Sequence, residues 1–239
     1  MTTGSHQKRI YQAQDAILKL LAGFKNFPYV LSGGTALSRF YFHHRFSEDL
    51  DFFGETVEFS LEMVEKVVGY LRGYGVVCEL VGRTNLPGRL KAASYVAGSE
   101  NAVKIDFLED PFSGMWKPTV KKTESGVRFR VDALDQIAYR KFFSLLEQWH
   151  KSRSISRVKD IVDLYLLHTK HRCIEKTLKL YRRQNVPIDE EKLILLLSKL
   201  EPKIMEKELK RLDISISADR IGEAFGRVAE RLVKKGIKR

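Results

Sequence analysis

The stretch YVLSGGTALSRFYFHHRFSEDLDFF, residues 29–53, decides the fold. Tyr29 to Leu31 is short and apolar and reads as a strand; it runs into Ser32-Gly33-Gly34, and Thr35 opens a helix reaching about His43. Leu50 to Phe53 reads as the next strand. Paired glycines at a strand-to-helix turn let backbone amides approach an anion closely, and the helix N-terminus adds positive potential suited to phosphate. The same pair is also what an ordinary tight turn uses. On a strand, residues two apart share a face, so Asp49 and Asp51 point one way while Leu50 and Phe52 enter the core. Acidic residues are depleted in strands, and like charges held close are unfavourable unless a cation neutralises them. Magnesium is the natural cation, with manganese as a substitute.

Outward from this stretch, residues 1–130 read as an α/β region. A helix over Ile10 to Leu21 precedes it, and a helix over Leu61 to Tyr74 follows, then strands at Val76 to Val81, Leu90 to Val96 and Ala102 to Leu108. The segment Lys91 to Asp106, with Gly98-Ser99-Glu100-Asn101 at its middle, reads as an antiparallel hairpin. The sheet is therefore expected to be mixed, which disfavours a doubly wound dinucleotide fold. Asp106, in Val103-Lys104-Ile105-Asp106-Phe107, sits among apolar neighbours on an expected central strand. Taken alone it reads as a strand-end surface acid; taken with Asp49 and Asp51 it would complete a three-carboxylate site for one or two hard metal ions, the arrangement that steadies the attacking and leaving oxygens of phosphoryl transfer. From residue 131 to 239 the pattern turns helical: Leu134 to Trp149, Lys159 to His168, Ile174 to Arg183, Asp189 to Leu200 and Ala218 to Val233, punctuated at Pro187, Pro202 and Asp213 to Ser217. The expectation is an α/β (α+β) head over 1–130 and an all-helical, basic domain over 131–239.

Composition agrees with a protein that folds by burial. Hydrophobic residues make up 44% and charged residues 30% of 239, close to globular averages. No apolar run approaches the roughly 18 residues of a membrane span, so no membrane partner is expected and a cytoplasmic location is. Cys78 and Cys173 are too few for a disulfide framework and are expected to be reduced. The formal net charge is +12, and residues 131–239 carry 25 Lys+Arg against 16 Asp+Glu. Such a surface favours polyanionic partners. The run Lys170, Arg172, Lys176, Lys179, Arg182, Arg183, with Lys234, Lys235, Lys238 and Arg239, reads either as a solvated face or as a platform for an RNA backbone. A phosphate loop of the Gly-x-x-x-x-Gly-Lys type is missing, and His168, His171 and Cys173 lack the second ligand pair of a zinc site.

The order strand, Ser32-Gly33-Gly34, helix, Asp49-Leu50-Asp51, then Asp106 resembles the DNA polymerase β-like nucleotidyltransferases. The strings "GGTAL", "SEDLDFF", "KIDF" and "KDIVDLYLL" look like the AbiEii/AbiGii nucleotidyltransferase toxin family, over roughly residues 28–170. The resemblance implies that Asp49 and Asp51 bind Mg²⁺ and the triphosphate of an NTP and that Asp106 is the third acidic position. It implies that Gly33 and Gly34 cradle phosphate within a nucleotide-binding set of Ser32, Gly33, Gly34, Thr35, Ser47 and Lys141. Lys141, in "DALDQIAYRKFF", matches the family's lysine on the helix after the last strand. Asp160 and Asp163 match its Arg-Asp-x-x-Asp-Leu-Tyr motif. Here Lys159 replaces the arginine, and Arg157 stands two residues away to supply the charge.

The resemblance implies transfer of a nucleoside monophosphate, catalysed with Asp49, Asp51, Asp106, Lys141 and Asp160. Charge and family together suggest an RNA acceptor, most directly a tRNA 3′ end, held on Lys176, Lys179, Arg182 and Arg183, and a cognate antitoxin as protein partner. The alternatives are a nucleotidyltransferase acting on a small molecule or a protein, and a non-catalytic nucleic-acid-binding regulator. A cationic small acceptor is disfavoured by the charge of +12, and a purely binding role gains nothing from unneutralised carboxylates.

Overall fold

The computed structural model describes residues 3–56, 58–87, 89–152, 157–184, 190–198, 200, 202–212 and 214–236. The chain divides into two compact units, Met1–Gln136 and Ile137–Arg239.

In the first unit, helix α1 (Thr3–Gly23) buries Ile10, Ile17, Leu18 and Leu21, an apolar stripe at helical spacing. Strand β1 (Val30–Ser32) passes directly into α2 (Gly33–Leu37), which widens into a π-helical turn over Ser38–Phe42 and stops at His43 in the left-handed region. Strand β2 (Leu50–Glu55) follows. Helix α3 (Leu61–Gly73) starts at Ser60, whose hydroxyl accepts the Met63 N–H at 3.0 Å. Strands β3 (Cys78–Thr84), β4 (Ala92–Ala97), β5 (Val103–Asp110), β6 (Thr119–Lys122) and β7 (Arg128–Val131) complete one sheet in the order β3-β4-β5-β2-β1-β7-β6. Pairs β2–β5 and β1–β7 are parallel and the rest antiparallel, so the sheet is mixed as the hairpin pattern predicts. That hairpin is β4–β5, in register from Ala97↔Val103 to Ala92↔Leu108.

Alternation divides the sheet into two faces. Leu50, Phe52, Tyr95, Ile105 and Phe107 lie on the buried face, where Phe52 and Phe107 stack at 5.5 Å and Tyr29 packs against Phe107 at 5.2 Å. Asp51, Lys104 and Asp106 lie on the other, which stays partly open. Strands β6 and β7 are additions to the sequence-based expectation. Arg128-Phe129-Arg130-Val131 alternates basic and apolar residues, Phe129 and Val131 are buried, and Val131 sits beside Leu31 of β1. The first unit consequently keeps β7 and the turn after it.

The second unit takes up helix α4 (Leu134–Ser152), whose first turn belongs to the head, and contains α5 (Val158–His171), α6 (Cys173–Gln184), α7 (Glu190–Ser198), α8 (Pro202–Arg211) and α9 (Ala218–Gly236). Helix α9 packs on α5, α7 and α8 through a stripe that includes Ile221, Phe225, Val228 and Leu232. Pro202, expected as a break, is the first residue of α8, where its missing N–H costs nothing. Pro187, Asp189, Asp213, Lys238 and Arg239 lie outside the described residues, as does the side chain of Lys235.

Candidate active site

The sheet register builds the site in the head. Ser32 lies opposite Asp51, Asp51 opposite Asp106, and Asp106 opposite Ser94, so four polar residues form a row across β1, β2, β5 and β4. Neighbouring strands are about 4.8 Å apart, so the Asp51 and Asp106 side chains are next to each other on one face of the sheet. Asp49 stands one residue before β2 and is exposed at its mouth. Lys104, two residues from Asp106 on β5, places its Nζ 2.6 Å from Asp106 Oδ2. Partial burial pulls the Lys104 pKa down, but the bond to Asp106 and the fields of Asp49 and Asp51 outweigh it and hold the ammonium above its usual range. All three sequence-predicted carboxylates thus act on one cationic group.

The glycines are explained by close approach. Gly33 has φ +70°, and a Cβ there would fall well inside contact distance of Asp51 Oδ2. A Cβ on Gly34 would collide with the Arg45 guanidinium and come within 3.0 Å of Ser47 Oγ. Thr35 and Ser47 are buried, and the Thr35 hydroxyl donates to the Asp49 carbonyl. Ser32, Gly33, Gly34, Thr35 and Ser47 are therefore gathered against the segment that carries Asp49 and Asp51.

The oxygen set suits a small hard cation. Asp106 Oδ1 is buried and has no hydrogen-bond partner, while its other oxygen is bound to an ammonium. Among the described residues no group of three or more His, Cys, Asp or Glu side chains is drawn together so as to hold a metal ion by itself. Mg²⁺ is commonly held by one or two carboxylates, waters and substrate phosphates, so an open half-site of this composition fits it.

In the second unit Lys141 on α4 lies 2.5 Å from Asp160 Oδ1 and 2.9 Å from Asp163 Oδ2 on α5. Asp163 is fully buried. Arg157 Nε reaches Asp160 Oδ2 at 3.1 Å and its guanidinium also bonds the Ser144 hydroxyl, whereas Lys159 is exposed. Arg157 thus supplies the charge that Lys159 does not. On α6 the exposed Lys176, Lys179, Arg182 and Arg183 fall within about a third of the helix circumference. Ile174, Thr177 and Leu178 are buried on its other side. His168 faces Glu175 at 3.5 Å; burial holds this imidazole below its ordinary pKa against the pull of Glu175.

Sequence reasoning missed Lys104 and Ser94, although the rule that pairs Asp49 with Asp51 also puts Lys104 on the face of Asp106. Ser94 needed the strand register, which no local pattern supplies. Arg45 had no signal beyond its place between the glycines and the aspartates.

The family model of the nucleotidyl transferase AbiEii toxin, type IV toxin–antitoxin system, matches residues 18–231, well beyond the 28–170 that the motifs mark. No curated protein matches. Among solved structures, JHP933 from Helicobacter pylori superposes with TM-score 0.53 at 18% identity, covering 96% of this chain and 92% of its own. MenT4, a nucleotidyltransferase toxin from Mycobacterium tuberculosis, gives 0.54 at 15% identity, with 95% and 91% covered. A putative H. pylori nucleotidyltransferase gives 0.52 at 17%, with 98% and 97%. At such identities the structures speak for a shared fold, and among the described residues no helix is long and apolar enough to cross a membrane. With nine-tenths of its length inside the family match, the chain belongs to the AbiEii nucleotidyltransferase toxins, enzymes of type IV systems whose other component is an antitoxin.

Proposed function

We propose that this enzyme moves a nucleoside monophosphate from an NTP to RNA, most directly to the 3′ end of a tRNA, with Mg²⁺ bound at Asp49, Asp51 and Asp106. The observation that carries the reading is the register Asp51↔Asp106 beside Asp49, with one orphaned carboxylate oxygen and one shared ammonium. When bound, the metal would supply charge neutralisation on the triphosphate and on the oxygens that attack and leave. The backbone of Ser32 to Thr35, with Ser47, would lie along the phosphates. Lys141 would contribute a cation held in direction by Asp160 and Asp163. The acceptor hydroxyl attacks the α-phosphorus and pyrophosphate leaves, so the chain's work is positioning and charge balance. The RNA part rests on the net charge of +12 and on the basic stripe of α6.

The test is incubation of the wild type, Asp49→Asn and Asp51→Asn with each labelled NTP, Mg²⁺ and total RNA, followed by sizing of the products. Either substitution removes charge and keeps shape, so transfer should fall by roughly a hundredfold or more while thermal unfolding stays nearly unchanged. Unchanged transfer by either pure variant would remove the metal assignment. Label found in small molecules or protein would replace the RNA acceptor with the alternative that it marks.

A further inference from the structure

Residues 43–49 join the π-helical turn to β2 without a helical or strand ladder of their own. Three consecutive carbonyls there are each given a side-chain hydrogen. Gln14 Nε2 donates to the carbonyls of Ser47 at 3.0 Å and Glu48 at 2.9 Å, and the Thr35 hydroxyl donates to that of Asp49. Gln14 is fully buried on α1, and its Oε1 accepts from Arg39 Nη1 at 3.2 Å. Arg39 is itself buried, paired with Asp15 at 2.6 Å and stacked over the Tyr11 ring at 4.4 Å. The guanidinium cannot accept a hydrogen bond, so it fixes which end of the Gln14 amide faces it and turns both N–H groups onto the loop. Removing the side chain would take a donor from both carbonyls, and at the buried Ser47 carbonyl that loss leaves an unsatisfied acceptor.

We propose that Gln14, oriented by Arg39, is a positioning residue that sets the direction of the Asp49 and Asp51 carboxylates through the carbonyls just before them. The proposal rests on the reading of those aspartates as metal-holding. Gln14 lies N-terminal to residue 18, where the family match begins, so this brace is contributed by the first helix of the chain. Partners that orient metal ligands are typically worth about 10–100-fold in metal affinity or activity.

The experiment titrates Mn²⁺ alone into the full-length protein, following free Mn²⁺ by electron paramagnetic resonance, for wild type, Asp51→Asn, Gln14→Met and Gln14→Glu. Kinetics with NTP and thermal unfolding accompany each titration. Gln14→Met keeps the volume and removes all three bonds; Gln14→Glu keeps an oxygen facing Arg39, removes the donors to the loop and sets an acidic oxygen against its carbonyls, which gives a second disruption of the brace should the first variant fold poorly. Tyr95→Phe, which removes a 2.9 Å hydrogen bond to Glu65 from the buried face of the sheet, is the control for destabilisation alone. Both Gln14 variants should weaken Mn²⁺ binding about tenfold or more and lower kcat, and Tyr95→Phe should leave the Mn²⁺ curve in place. Wild-type Mn²⁺ affinity in a folded Gln14→Glu, or an equal shift in Tyr95→Phe, overturns the brace and leaves the aspartate assignment standing. Wild-type affinity in Asp51→Asn overturns that assignment and the brace with it.

Discussion

Gly33 shows how much a single residue settles. Its sequence context suggests room left for a phosphate, but the space beside its α-carbon is filled by the carboxylate of Asp51. A methyl group there has to push Asp51 aside and hold a left-handed backbone that costs an L-residue about 1–2 kcal/mol. Gly33→Ala should therefore lower kcat/KM for the NTP by roughly a hundredfold or more while reducing stability by at least that amount in a urea titration. Gly69, inside α3 with nothing within 4 Å of an added Cβ, is the counterpart. Gly69→Ala should stabilise by about 0.5–1 kcal/mol and leave transfer unchanged. Full activity of Gly33→Ala would mean that Asp51 is free to move. The spacing of the glycines and aspartates was legible because period and turn chemistry are local properties. The close approach that requires the glycine was not, because it joins the first residue of α2 to a residue of β2 that only the folded sheet brings beside it.

Helices and strands were legible wherever an element carries its own pattern. The β4–β5 hairpin announces itself by alternation around a turn, and α9 by its apolar stripe. Strands β6 and β7, four residues each, are too short to rise above the background of a loop, and α8 hides behind a proline at its first position. Pairing between α4 and α5 was readable only as a family motif; its physical meaning comes from burial. Asp160 and Asp163 are almost wholly excluded from water, and one ammonium at 2.5 and 2.9 Å serves both. Breaking such a buried pair typically costs about 3–5 kcal/mol. At about 2–4 °C per kcal/mol for a protein of this size, Lys141→Ala should lower the unfolding midpoint by about 10 °C and, on the proposed reading, raise the KM for NTP roughly tenfold. Lys141→Arg, which keeps the charge, should recover most of the midpoint. A midpoint within about 2 °C of wild type in the alanine variant would show that the aspartates find another cation.

Charge is a property of the whole chain, and here it is unevenly spread. Residues 1–130 carry 17 Lys+Arg against 14 Asp+Glu, so most of the excess of +12 belongs to the helical half. An enzyme that draws in a polyanion gains from such a field before the two molecules touch, and neutralising phosphates then releases condensed counterions, so affinity falls linearly on a log–log plot against salt. The exposed stripe of Lys176, Lys179, Arg182 and Arg183 is the part of this charge with a defined surface, since the buried side of α6 fixes which way it faces. Replacing all four with Gln should flatten the salt dependence of RNA binding by up to about 0.7 in slope for each phosphate of a single-stranded end that the stripe had neutralised. The stripe shares no element with the carboxylates, so NTP-dependent catalysis on a short saturating acceptor should change less than about twofold, whereas transfer to dilute RNA should drop roughly tenfold or more. Filter binding from about 50 to 300 mM salt measures the slope. If the quadruple variant keeps the wild-type slope, the RNA is held elsewhere and the stripe is solvated surface or the seat of an acidic antitoxin; co-purification with the antitoxin then separates those two, because only the second disappears with the charges.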